Sequence, residues 1–555
     1  MSTISNFKLE DIKKSNKIFN SLRTTLETAF YGNNVVNVTS ASEAYKLAYN
    51  SPGTIVTDMP VYKPELIGLP EDAKVLLFND GAVTGRFAGA RVIIGEPNVS
   101  LDEYSTIARE AVYLTRYKKM YHAQVIIGLD PDFMVRAHLL LPEKYENIMY
   151  SWLLNFQYIT QDIMKMYDGS KEYPEGDIYV VADPDYVPEI HKDGLALFDP
   201  EHNCALLLGM RYFGEYKKGT LTLAWSIANR NGFASCHGGM KRYNFDDGSK
   251  YTVGVFGLSG SGKSTITHEK HDGKYNITIL HDDAYVISVD DGYSVALEPS
   301  YFDKTQDYPT THPANKFLLT VQNCGVTLDS NNNKVLVTED IRNGNGRAVK
   351  SILWADNRVN KIDEPVDSII WLMKDATLPP VLKINNPVLA SVMGATLATK
   401  RTTAERLAKG ADMNALVIEP YANPFRTYPL EEDYNKFKLL FEKRNVDCYI
   451  FNTGSYKDKK IPKEVTLNIL EQIVTRKAEF KKLGEFKDIE YIDVEGFEVS
   501  FDKDYLDMWQ GSINYRKDFV KKVDIEKEGR DKLPEEALKE LEDLEVQLNK
   551  MRSQL

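Results

Sequence analysis

The stretch Tyr251-Thr252-Val253-Gly254-Val255-Phe256-Gly257-Leu258-Ser259-Gly260-Ser261-Gly262-Lys263-Ser264-Thr265 decides the fold class of this chain. Tyr251–Phe256 is a compact apolar run and predicts a buried strand. Gly257 to Ser264 fits the pattern G-x-x-x-x-G-K-[ST], and Thr265–Glu269 reads as the short helix that this pattern requires after it. The glycines allow backbone amides to converge on phosphate oxygens, with the positive end of the helix behind them. Lys263 would bridge the terminal phosphates and the Ser264 hydroxyl would ligate Mg²⁺. The whole loop, Gly257, Leu258, Ser259, Gly260, Ser261, Gly262, Lys263, Ser264 and Thr265, is therefore expected to bind nucleotide phosphates. The next predicted strand, Asn276–Leu280, runs into His281-Asp282-Asp283. Adjacent carboxylates at the C-terminal end of a strand lie where ligands collect in α/β sheets. Asp282 and Asp283 can face opposite sides, one toward Mg²⁺ and the other toward a second metal.

Working outward, strands alternate with helical patterns through this half of the chain, which predicts an α/β layer structure. In the first half, Phe7–Tyr31 and Glu103–Arg116 have apolar residues at helical spacing. Lys74–Phe78, Ala90–Ile94, Val125–Gly128 and Asp177–Ala182 read as strands. Ala182–Pro200, with Pro184, Pro188 and Pro200, reads as a connection. Near the end, Ala537, Leu541, Leu544, Leu548, Met551 and Leu555 fall at 4-3-4-3-4 spacing, an amphipathic helix. It is expected to pack on its own chain, with a homo-oligomer through this helix as the alternative. The expected layout is a substrate-side α/β domain over residues 1–225, a P-loop nucleotide-binding domain over 226–515 and a helical tail over 516–555.

Composition narrows the partners. The 555 residues carry 68 Lys and Arg against 80 Asp and Glu, a formal charge of −12. Such an exterior repels phosphate backbones and anionic membranes, so neither nucleic acid nor membrane is an expected partner. With 43% hydrophobic and 27% charged residues, the chain is globular in composition. Cys204, Cys236, Cys324 and Cys448 are far apart, which excludes a disulfide scaffold and a zinc ribbon. Met1–Glu10 has no apolar run, and the most apolar stretches, such as Cys204–Met210, are too short to span a bilayer. A reducing, cytoplasmic setting is expected.

Upstream of the loop lie Tyr212…Lys217-Lys218 and Ala234-Ser235-Cys236-His237. In this order, followed by Gly257–Thr265 and Asp282-Asp283, they resemble the ATP-type phosphoenolpyruvate carboxykinase family. Thr84-Gly85-Arg86, Thr338-Glu339-Asp340-Ile341-Arg342, and Phe451-Asn452-Thr453-Gly454 with Thr466 extend the resemblance in order along the chain. The resemblance implies a two-domain α/β architecture and conversion of oxaloacetate and ATP into phosphoenolpyruvate, CO₂ and ADP, with Mn²⁺ and Mg²⁺ as cofactors. It assigns Lys218, His237 and Asp283 to Mn²⁺, leaving Ser264 and Asp282 for Mg²⁺. Arg86 would clamp the substrate carboxylate, and Tyr212 would contact CO₂ or the phosphoenolpyruvate carboxylate. Ser259 would touch the substrate phosphate, and Arg342 would neutralise the phosphoryl group in flight, with Arg347 as a rival. Lys217 and Lys263 would add positive charge. Lys460 and Thr466 would flank the adenine, Lys460 standing where the family has an arginine. Cys236 reads as a packing residue.

The sequence also departs from that family. Ala284-Tyr285-Val286-Ile287 replaces Glu-His-Gly-Trp after the paired aspartates. Pro299-Ser300-Tyr301-Phe302-Asp303-Lys304 keeps the final lysine without the glycines, and Gly238-Gly239-Met240 follows the metal histidine in place of Cys-Ser-Ala. Two other readings therefore stay open: a kinase of this scaffold with a different acceptor, and a non-catalytic nucleotide sensor.

Overall fold

The computed structural model describes residues 2–79, 87–339, 346–401, 412 and 415–555. The chain is mixed α/β and divides into two compact units. The first comprises Met1–Asn231, Val295–Asp356 and Thr403–Ala411; the second comprises Gly232–Ser294, Asn357–Thr402 and Asp412–Leu555.

Among the described residues the first unit holds two large sheets and a two-stranded one, Gly325–Leu328 with Lys334–Val337. The larger runs in the order Val35–Val38, Met120–Asp130, Phe133–Pro142, Ile178–Asp183, Cys204–Leu208, Leu195–Asp199, Arg91–Ile93. Its centre is apolar on both faces because both are covered. Every residue of Cys204–Leu208 is buried. Helices Ser21–Thr28 and Leu101–Thr115 cover one side with Leu22, Leu26, Ala108 and Ala111. The smaller of the two large sheets runs Tyr301–Lys304, Arg347–Lys350, Leu318–Gln322, Lys74–Phe78, Thr54–Pro60.

Two expectations in this unit are corrected. The helix predicted over Phe7–Tyr31 is confined to Ser21–Thr28, and Leu9 and Ile12 are exposed. Asn20 starts it late, its side chain accepting from Arg23 N–H, while Asn16 bonds locally to Ile18 N–H and Asp11 C=O. The stretch Ala182–Pro200 is not only a connection, since Leu195–Asp199 is a strand antiparallel to Cys204–Leu208.

A polar chain runs from the exposed Asn37 into the interior of this unit. Asn37 Oδ1 faces His122 Nδ1 at 2.7 Å, His122 Nε2 faces His138 Nδ1 at 3.0 Å, and His138 Nε2 faces Asp177 Oδ2 at 3.1 Å. Burial, and then the neighbouring His138, push His122 down to about 3. The unfolded chain therefore takes up this proton near pH 6.5 while the folded one resists it. The associated stability is complete above pH 6.5 and falls as pH drops toward 3, by about 2 kcal/mol at pH 5. Melting curves of the wild type and His122→Gln are expected to converge between pH 7 and pH 5; a constant difference would refute this.

In the second unit one sheet runs Ala284–Ser288, Phe233–Asn244, Lys250–Phe256, Ser368–Met373, Asp447–Asn452, Val381–Ile384, Ile489–Tyr491, Lys481–Lys482, with Asn276–His281 also on Phe233–Asn244. The three central strands, Lys250–Phe256, Ser368–Met373 and Asp447–Asn452, are parallel, and the strands beside them are antiparallel. The parallel trio ends together, so Gly257, Lys374 and Thr453 emerge at one rim. The C-terminal helices Lys503–Glu526 and Glu535–Arg552 pack on each other, and the second also packs on helix Pro387–Ala395. The stripe Ala537, Leu541, Leu544, Leu548 and Met551 is buried against this chain, while Leu555 is exposed. Among the described residues no helix is long and apolar enough to cross a membrane.

Candidate active site

The phosphate loop leaves strand Lys250–Phe256 and enters a helix of six residues, Lys263–His268. So short a helix carries little dipole, and the cradle rests on backbone amides and on Lys263. Gly260 and Gly262 have φ of 77° and 97°, which L side chains rarely adopt. A Cβ on Gly257 would lie 2.2 Å from Ser261 Oγ. Ser259, Gly260, Ser264 and Thr265 are exposed, whereas Leu258 and Ser261 are buried. Ser261 Oγ has no hydrogen-bond partner among the described residues. An orphaned buried hydroxyl beneath open glycines fits a loop shaped for phosphate oxygens. Lys374, at the end of the adjacent strand, donates to Gly260 C=O at 3.0 Å. Burial, with Lys400 nearby, lowers its pKa.

The paired aspartates do face different partners. Asp282 is buried beside His268 Nε2, at 3.3 Å. Burial works against its charge, yet His268 and His281 hold it below the usual carboxylate range. The His281 ring accepts from Asp283 N–H and Ala284 N–H at 3.1 and 3.3 Å, which fixes the turn that aims Asp283. Asp283 Oδ1 lies 3.1 Å from His237 Nε2 and 3.6 Å from Lys263 Nζ. His237 Nδ1 lies 2.5 Å from Ala422 C=O, an acceptor only, so Nδ1 carries a proton, and Nε2 is the nitrogen that faces the Asp283 carboxylate. A nitrogen and a carboxylate oxygen converging in this way form a donor pair for a divalent transition metal. Among the described residues no cluster of three or more His, Cys, Asp and Glu side chains could hold a metal.

Of the adenine-side residues, Gly454 abuts Lys374, since a Cβ there would meet Lys374 at 3.2 Å. Thr466 is buried in helix Lys463–Val474 and Lys460 is exposed on a hairpin; neither makes a hydrogen bond or ion pair to the phosphate loop. Cys236 is fully buried, and burial pushes its thiol pKa up, as a packing residue requires.

In the first unit, helix Phe213–Arg230 carries the upstream residues. Tyr212 precedes it with its ring folded over Gly214, where a Cβ would lie 2.3 Å from the ring. Lys217 is fully buried and paired with Glu298 Oε1 at 3.0 Å; Asn155 donates to the other oxygen at 2.6 Å. Its charge is matched within the unit. Lys218, one position on, is partly exposed, its Nζ 5.7 Å from the centre of the Trp225 ring. Arg347 is buried in strand Arg347–Lys350. Arg86 and Arg342 lie outside the described residues.

Sequence reading missed His268, His281, Lys374 and the Ala422 carbonyl. Lys374 had a signal, since it ends an apolar strand beside the phosphate-loop strand. A backbone carbonyl had none.

The sequence profile of the phosphoenolpyruvate carboxykinase family matches residues 76–503. The chain is similar to proteins named phosphoenolpyruvate carboxykinase (ATP). That of Aeropyrum pernix is 27% identical over 303 residues, 52% of this chain and 60% of that protein. That of Bradyrhizobium diazoefficiens is 22% identical over 376 residues, 65% of each chain. The one named glycosomal, of Trypanosoma brucei brucei, is 23% identical over 436 residues, 73% of this chain and 84% of that protein. The chain thus spans less than two thirds of the first two relatives.

Proposed function

The chain belongs to the phosphoenolpyruvate carboxykinase family, and on that premise we propose that it converts oxaloacetate and ATP into phosphoenolpyruvate, CO₂ and ADP. The observation that carries the reading is the pairing, within one unit, of a phosphate loop with the His237–Asp283 donor pair, joined through Lys263. Transfer of a phosphoryl group to an arbitrary acceptor needs the loop and its Mg²⁺, but not a second nitrogen–oxygen donor pair beside them.

Loss of CO₂ from oxaloacetate leaves an enolate, and its oxygen then takes the γ-phosphoryl group. Both steps gather negative charge, so preorganised cationic groups are what the protein must supply. Lys263 neutralises the terminal phosphates and stays beside Asp283 as charge moves. Ser259 and the loop amides hold the phosphoryl group in line. Ser264 and Asp282 serve Mg²⁺ with the nucleotide. A cation such as Mn²⁺ at His237 and Asp283 supplies Lewis-acid stabilisation of the enolate oxygen. From the first unit, the family's pattern adds Lys218 as a further ligand and Tyr212 as a carboxylate or CO₂ contact, with Lys217 and its Glu298 partner setting the field at Lys218. Arg86 and Arg342 remain the proposed carboxylate clamp and phosphoryl-neutralising residue, and Lys460 and Thr466 the proposed adenine side. The layout proposed is a substrate-side α/β domain, a P-loop domain and a helical tail, and the setting proposed is cytoplasmic.

A coupled assay with oxaloacetate, ATP, Mg²⁺ and Mn²⁺ tests the reading. Phosphoenolpyruvate is expected from the wild type, and about 10³-fold less from His237→Ala with nucleotide binding retained. Nucleotide binding without phosphoenolpyruvate in the wild type would sink the reading in favour of a different acceptor.

A further inference from the structure

We infer that the segment joining the two C-terminal helices is a positioning element for the His237 end of the site, with Asp531 as the residue that holds it; the inference rests on reading His237 as a metal ligand. Asp531 lies between helices Lys503–Glu526 and Glu535–Arg552, beyond the matched residues 76–503.

The argument starts at Ala422, whose carbonyl fixes the proton of His237 on Nδ1. Tyr421 and Ala422 both have φ of 52°, left-handed backbone in two consecutive residues that are not glycine. Each costs of order 1 kcal/mol, and such a conformation persists only where its surroundings over-determine it. On the N-terminal side the hold is plain. The Tyr421 ring is buried, stacked on Phe437 at 4.7 Å and edge-on to Trp371 at 5.6 Å, and its hydroxyl lies 3.0 Å from Ser391 Oγ.

On the C-terminal side the hold comes from the interhelical segment. Arg426 donates to Asp531 Oδ1 at 2.8 Å and, through its other terminal nitrogen, to Asp531 Oδ2 at 3.2 Å. Leu430 N–H donates to Asp531 Oδ1 at 2.9 Å. The neighbouring Arg530 donates to Thr427 C=O at 2.6 Å. One carboxylate thus receives three hydrogen bonds from residues 426–430, in a fork geometry that only arginine and a carboxylate provide. Asp531 is 7% exposed and Arg426 is 15% exposed, so water is a poor substitute for either.

Between the two anchors lie two groups that bear on the His237 ring: the Ala422 carbonyl at Nδ1, and the Phe425 ring, edge-on at 5.3 Å. Releasing the Asp531 end lets the strained turn relax, and the carbonyl leaves Nδ1. The proton is then no longer held on that nitrogen, and Nε2 loses both its fixed direction and part of its basicity toward a cation. Outer partners of this kind are worth 10- to 100-fold in metal affinity.

The test is calorimetric titration of the intact protein with Mn²⁺, and separately with MgATP, for the wild type, Asp531→Asn, Arg530→Ala and His237→Ala. Asp531→Asn keeps the size of the side chain and removes its charge. Its Mn²⁺ affinity is expected to fall about tenfold or more while MgATP affinity stays within about twofold; a merely structural role would lower both together or neither. Arg530→Ala is expected to shift Mn²⁺ affinity in the same direction by a smaller factor, and it decides the matter if Asp531→Asn does not fold. Unchanged Mn²⁺ affinity in folded Asp531→Asn, alongside a loss in His237→Ala, overturns the inference and leaves the metal reading standing. Unchanged affinity in His237→Ala overturns the metal reading and the inference with it.

Discussion

Lys263→Ala is expected to lower the rate of phosphoenolpyruvate formation by about 10³-fold or more and to weaken MgATP binding by about tenfold or more, with the melting temperature little changed. The size of the effect follows from where the charge sits. Lys263 is the first residue of the helix that follows the phosphate loop, and its Nζ reaches Asp283 at 3.6 Å, so on the proposed reading one cation serves both the phosphates and the carboxylate of the donor pair. On the proposed reading, its removal takes a protein cation from the developing charge of the transferring phosphoryl group, in a largely buried setting where an unmatched charge is costly. Little stability is lost, since the lysine is not part of the apolar core around Val253, Val255, Ile370 and Leu372. Steady-state kinetics and titration calorimetry on one preparation check both parts. A variant turning over within about tenfold of the wild type would remove Lys263 from the chemistry.

The second large effect concerns stability. Asp375→Ala is expected to destabilise the second unit by about 3–5 kcal/mol, because it strands Arg516 without its counter-charge. Arg516 Nη1 lies 3.1 Å from Asp375 Oδ2, with the two side chains 3% and 4% exposed. Ser512 Oγ and Thr377 N–H also donate to Asp375, at 2.8 and 3.0 Å. Burial opposes the charge of Asp375, and Arg516 then brings its pKa below the usual carboxylate value. The loss translates into a drop of roughly 10 °C in the transition of a unit of this size. Differential scanning calorimetry measures it, and a shift under about 2 °C would contradict the assignment. Asp375 follows Lys374, which donates to Gly260 of the phosphate loop, so the same variant is expected to weaken nucleotide binding as well.

Local elements of the fold were legible where sequence and packing agreed. The phosphate-loop strand, its helix and the strand before the aspartates lie within two residues of the ranges read from the sequence, because each is written in adjacent residues. The helix over Phe7–Tyr31 failed because Asn16 and Asn20 offered the backbone competing bonds. The strand Leu195–Asp199 was masked by prolines on both flanks. At the candidate site, the residue types of Lys263, His237 and Asp283 pointed to their chemistry. What orients them did not: the Ala422 carbonyl has no side-chain signature, and a positive φ at Tyr421 and Ala422 follows no local rule. Nor could spacing show that Lys217 is matched by Glu298, or Arg426 by Asp531; both pairings are set by the tertiary fold.

The smaller of the two large sheets in the first unit has a consequence for the order in which this protein comes into being. Lys74–Phe78 takes Leu318–Gln322 as its parallel neighbour, and that strand in turn takes Arg347–Lys350. An early strand thus waits for partners encoded far downstream, on the other side of Gly232–Ser294, a stretch of the second unit. At the usual pace of translation, about 5–20 residues per second, the delay is some tens of seconds. During that interval Lys74–Phe78 emerges from the ribosome with the edge meant for Leu318–Gln322 unpaired and Val75, Leu76 and Leu77 uncovered, the condition under which a nascent chain most needs a chaperone.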